Sequence, residues 1–93
     1  MENYKELLMS KHGYTEYEAI ETSSDLMAMD EESKGKLYEY FNGQNIKKYS
    51  CGDFTIGSLM KDYGFNVFSA LLSISALKKD YDGFSRMLKK GIK

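Results

Sequence analysis

His12 is the single histidine of the chain and Cys51 its single cysteine, so a nucleophile–base dyad would have to be built from that pair. Histidine is the usual general base. His12, however, precedes Gly13 at a point where a helix should end, and there an imidazole reads as a last-turn surface residue at the negative end of the helix dipole. Cys51 stands beside Gly52 in an irregular stretch, and no spacing couples it to His12. Asp80-x-Asp82-Gly83 has the start of a calcium loop, which needs glycine at its sixth position and a bidentate glutamate at its twelfth. Here glycine comes fourth and Gly91 falls twelfth, so Asp80 reads as a helix cap. One cysteine excludes an internal disulfide and any zinc site needing several thiolates from one chain. Gly43, Gly52, Gly57 and Gly64 are isolated and form no phosphate loop, and no nucleophile elbow or metalloprotease motif occurs. The residues assign no catalytic group, metal ligand or cofactor, and a non-enzymatic protein is expected.

The 93 residues suit one domain spanning 1–93. With 42% hydrophobic and 14% aromatic residues, the chain has material for a core without staples. No apolar run is long enough to span a membrane. The start, MENYKELLMSK, lacks the basic-then-apolar order of a secretory signal, so a cytoplasmic location is expected.

The spacing predicts an all-α fold, a bundle of five or six short helices. Tyr4, Leu7, Leu8 and Lys11 make an i, i+3, i+4, i+7 stripe over 2–12. Thr15 and Glu18 form a capping-box pattern opening a helix to about Ala28, with Tyr17, Ile20, Ser24 and Met27 expected inward and Glu18, Glu21 and Asp25 on the opposite face. Asp30 caps a third helix that buries Leu37, Tyr40 and Phe41, pairs Glu32 with Lys36 and closes at Asn42-Gly43. Residues 44–54 read as an irregular connection pinned by Ile46, Tyr49 and Phe54, with room for a short extended stretch. Thr55 caps a short fourth helix ended by Gly64. Asn66 caps a fifth, about 66–79, whose residues 67–77 are apolar nearly all round, the pattern of a buried central helix. Asp80 caps a sixth, with Tyr81, Phe84, Met87 and Leu88 expected inward and Arg86, Lys89, Lys90 and Lys93 outward.

Net charge is only −1, but it is unevenly spread. Residues 1–42 hold ten acids and four bases, whereas residues 76–93 hold six bases and two acids. Between Thr15 and Glu32 there are seven acids and no base. Such a stripe can dock on a basic surface of a protein partner, including one that otherwise holds nucleic acid. The contact candidates are Glu18, Glu21, Asp25, Glu31 and Glu32, with Tyr14 and Tyr38 as aromatic anchors. The alternative is a small nucleic-acid-binding regulator, with a degenerate helix-turn-helix over 55–79 and phosphate contacts from Arg86, Lys89, Lys90 and Lys93. Its reading helix would begin Asn66-Val67-Phe68-Ser69-Ala70-Leu71, which offers no arginine, lysine or glutamine to base edges. So apolar a fifth helix could also complete its core in a homodimer.

Twelve of the thirteen basic residues are lysine and proline is absent. In size, helicity and this lysine-over-arginine bias the whole chain resembles, in general character, the small accessory proteins of phages and mobile elements of low-GC Gram-positive bacteria. Some of these inhibit host defence systems, CRISPR nucleases among them, by occupying a basic nucleic-acid channel. The resemblance implies a binding protein or inhibitor and assigns no residue role.

Overall fold

The computed structural model describes residues 4–91, which form helices α1 (Tyr4–His12), α2 (Glu16–Met27), α3 (Glu31–Phe41), α4 (Ile56–Tyr63), α5 (Val67–Lys79) and α6 (Tyr81–Gly91), with strands β1 (Ser50–Cys51) and β2 (Phe54–Thr55) between α3 and α4. The local signals place the helix starts. Thr15 Oγ1 accepts the Glu18 N–H at 3.2 Å and the Glu18 carboxylate accepts the Thr15 N–H at 3.0 Å, closing the capping box of α2. Asp30, Thr55 and Asn66 cap α3, α4 and α5 in the same way, each accepting the N–H three residues on. Asp80 accepts the Gly83 N–H at 3.1 Å to start α6. At the end of α3, the Gln44 N–H reaches the Glu39 carbonyl at 2.9 Å and the Gly43 N–H reaches that of Tyr40 at 3.0 Å. This paired closure needs the left-handed backbone that Gly43 supplies (φ 87°).

The fold is all-α in class, with α5 at its centre as the apolar run of 67–77 requires. Ala70, Leu71, Ile74 and Leu77 are fully buried, and α2, α3, α4, α6 and the hairpin all pack on α5. A single apolar cluster joins them to Leu8 of α1, Leu26 of α2, Leu37 of α3, Leu59 of α4 and Leu88 of α6. Each fully buried leucine contributes about 1.5–3 kcal/mol, so this cluster is where most of the fold's stability resides.

Residues 44–54 are held as expected by Ile46 and Phe54, both buried, and by half-buried Tyr49. The extended stretch is a two-strand antiparallel hairpin with Ser50 opposite Thr55 and Cys51 opposite Phe54. Its two-residue turn, Gly52-Asp53, has positive φ only at glycine (61°), the type II′ requirement. The Tyr81 ring lies directly on Gly52, where a Cβ would overlap it, and the Tyr81 hydroxyl accepts the Asp53 N–H at 3.2 Å.

Three expectations are corrected. The inward face of α2 is not Tyr17, Ile20, Ser24 and Met27, all of which are exposed; it is Ala19 and Leu26, fully buried, flanked by half-buried Thr22 and Ser23. At about 100° per residue these two sets lie on adjacent arcs of the helix, and the arc with the smaller side chains is the one that closes on α1 and α5. Glu32 does not pair with Lys36. Lys36 binds Glu39 at 3.4 Å, while Glu32 reaches Lys78 of α5 at 2.6 Å, a partner 46 residues away that no local pattern reveals. Met87 points outward at 64% exposure, because the inward arc of α6 is filled by Phe84, Ser85, Leu88 and Tyr81.

Candidate functional site

The outer side of α2 joins two kinds of surface. Tyr17 (70% exposed), Ile20 (48%) and Met27 (56%) form an apolar strip along the helix. Glu21, Asp25 and Glu18 run beside it on the next arc, all exposed. The two rows are joined where the Tyr17 hydroxyl donates to Glu21 at 2.8 Å. Glu18 is also occupied by the capping box. Glu16, at the head of the helix, meets Lys5 at 3.2 Å. Glu21 and Asp25 form no ion pair with any described residue. Exposed apolar side chains and carboxylates without an ion pair to a described residue thus lie side by side on this helix.

The other sequence candidates are dispersed. Glu31 pairs with Lys34 at 3.1 Å within α3, and Glu32 is engaged by Lys78, so neither stands as a free carboxylate. Tyr14 is half-buried and its hydroxyl accepts from Asn66 at 3.1 Å. Tyr38 is partly exposed, with its ring set edgewise to Tyr4. Arg86, Lys89 and Lys90 line the exposed side of α6 and make no ion pair with described residues, whereas Lys93 lies outside the described residues. Along α5 the residues Val67, Phe68, Ala70, Leu71, Ser73 and Ile74 are buried, and its outward side chains in that stretch are exposed Ser69 and half-buried Leu72. Neither is the arginine, lysine, asparagine or glutamine that reads base edges in the major groove.

A polar cluster that sequence reasoning missed lies where α3, α5 and Tyr49 meet. Lys78 Nζ donates to Asp30 and Glu32, each at 2.6 Å, and to the Tyr49 hydroxyl at 3.0 Å. Asp30 also accepts from the Ser33 hydroxyl at 2.8 Å, the Ser33 N–H at 3.1 Å and the Ser75 hydroxyl at 3.0 Å. Ser33 has one proton and gives it to Asp30, so Tyr49 is the donor in the 3.0 Å contact between the two hydroxyls. Partial burial raises the Asp30 pKa, but Lys78, Ser33 and Ser75 together outweigh it and hold the carboxyl well below the usual carboxylate range. Partial burial likewise lowers Lys78, and its bonds to Asp30, Glu32 and Tyr49 outweigh that and raise it above the ordinary lysine value. Serine, tyrosine and lysine within hydrogen-bond reach are groups that can relay a proton. A lysine fixed as ammonium by two carboxylates does not accept one near neutral pH, so the cluster acts as a clamp between α3 and α5.

His12 is also corrected. It is half-buried rather than a plain surface residue, 5.0 Å edge-on from Phe68 and 5.9 Å from Tyr40 between ring centroids. These three rings wall a pocket of about 430 Å³ that continues to Tyr14, Asn45 and Lys47. Cys51 is half-buried and unpaired in β1. Among the described residues no group of three or more His, Cys, Asp or Glu side chains could hold a metal ion, and no helix is long and apolar enough to cross a membrane.

No family model, curated protein or solved structure matches this chain.

Proposed function

We propose that this chain is a non-enzymatic binding module that docks the outer side of α2 onto a basic, partly apolar surface of another protein. The observation that carries the reading is the exposed strip Tyr17, Ile20 and Met27 alongside Glu21 and Asp25, which form no ion pair with a described residue. The apolar strip supplies desolvation energy and the carboxylates supply orientation and on-rate against lysines or arginines. A basic surface that otherwise carries nucleic acid has the matching charge, and the lysine-rich composition supports placing the protein among accessory proteins or inhibitors of phages and mobile elements.

The test is affinity capture from a host lysate at about 0.05 M and about 0.5 M salt, where screening differs severalfold, with three baits: wild type, Glu21→Lys/Asp25→Lys and Ile20→Glu. The reading expects a basic protein retained by wild type at low salt, reduced at high salt, and reduced by both variants whose circular dichroism is unchanged. Equal retention of that protein by correctly folded variants overturns it.

A further inference from the structure

We infer that the pocket walled by His12, Tyr40 and Phe68 is a binding site for a small aromatic anion, a flat ring carrying a carboxylate or phosphate. This site shares no residue with the outer side of α2 and stands independently of the reading above.

The volume of about 430 Å³ falls in the range that ligand pockets occupy, roughly 300–1,000 Å³. Its floor is apolar and fixed. Ile56 is fully buried and Phe68 nearly so, while His12, Tyr40 and Tyr14 stand around Phe68 with their rings close to perpendicular to it or stacked on one another. A pocket lined by His12, Tyr14, Tyr40 and Phe68 suits a planar guest, which can join the aromatic cluster through offset or edge contacts.

The rim selects the charge. The Asn45 side-chain carbonyl already accepts the Lys47 N–H at 2.8 Å, which leaves its NH₂ to donate outward. Asn66 spends its carbonyl on the Ser69 N–H at 2.8 Å and one of its two amide protons on the Tyr14 hydroxyl at 3.1 Å. Tyr14 is therefore already an acceptor and keeps its own proton for a guest. Lys47 is exposed at the mouth and forms no ion pair with a described residue. The unspent capacity of these three groups is donor in character, and one of them is cationic. The complementary guest is acceptor-rich and negative at the rim, apolar and flat at depth.

A ¹H–¹⁵N NMR titration of the whole chain decides the matter, with indole-3-acetate and adenosine monophosphate as aromatic anions and with indole and inorganic phosphate as their separate halves. The inference expects saturable shifts centred on Tyr14, Asn45, Lys47 and Val67 with at least one aromatic anion, and the arm that saturates identifies carboxylate or phosphate. Each half alone should bind at least about 10-fold more weakly. Lys47→Gln should weaken the anion about fivefold, while Lys61→Gln, on α4 outside the pocket, leaves it unchanged. Failure of both anions to saturate by about 10 mM, indole binding as tightly as its anion, or an unaffected Lys47→Gln overturns the assignment.

Discussion

Two regions of this molecule carry aspartate and glutamate side chains that have opposite fates. Around Asp30, carboxylates, a lysine, hydroxyls and a phenol are drawn together from α3, α5 and the connection before β1, and each finds a partner within about 3 Å. Along α2, Glu21 and Asp25 stand exposed beside Tyr17, Ile20 and Met27 and form no ion pair with a described residue. The difference teaches that acidic sequence alone does not mark an interface. Charge that the chain pairs within itself is structure, and charge left beside exposed apolar side chains is what the proposed docking would use.

That contrast can be broken or sharpened by substitution. The largest effect belongs to the inner side of α2. Leu26→Ala empties a fully buried site and should cost about 3–4 kcal/mol, read as a shift of the urea midpoint. Next comes the clamp. Lys78→Met strands Asp30 and Glu32 without their shared cation and should cost about 2 kcal/mol, or ~10 °C in Tm for a domain of this size. Asp30→Asn keeps a good cap but loses the ion pair, for about 1–2 kcal/mol at neutral pH. Its pH dependence has a definite sign. The native pKa of Asp30 is lowered, so its stabilisation is complete above the unfolded carboxylate value near ~3.9 and fades as pH falls below it towards the native value. The gap between wild type and Asp30→Asn should therefore narrow from pH 7 to pH 3 in parallel denaturant melts; a constant gap would show that the ion pair is not its source. Smallest of all, Met27→Ala, one residue from Leu26, should change stability by no more than about 0.5 kcal/mol. A loss there comparable to Leu26→Ala would mean that the outer strip is packed in solution, for example against a second copy.

The sequence was legible wherever a feature is decided within four residues. Thr15, Asp30, Thr55, Asn66 and Asp80 start helices because each needs only its own side chain and an N–H three positions on. The burial of α5 was legible because no rotation of so apolar a segment leaves it acceptably wet. The orientation of α2 was not, since two adjacent arcs compete and the larger apolar residues weigh more in a helical wheel than the small ones that permit close packing. Glu21 and Asp25 lie on an exposed face as their spacing predicts, whereas the apolar strip beside them, which the same spacing turns inward, lies outward. The engagement of Glu32 leaves no local signal because its cation, Lys78, is 46 residues distant. The pocket at His12 was equally hidden, as its walls come from the end of α1, from α3 and from the start of α5. Long-range juxtaposition leaves no periodic trace.

Tyr81 ties the far end of the chain to the hairpin by resting on Gly52 and holding the Asp53 amide. The hairpin tip thus serves as a gauge for α6: the Asp53 amide is bonded only while Tyr81 is seated, so its deuterium exchange should quicken when heat or a side chain at position 52 lifts the last helix.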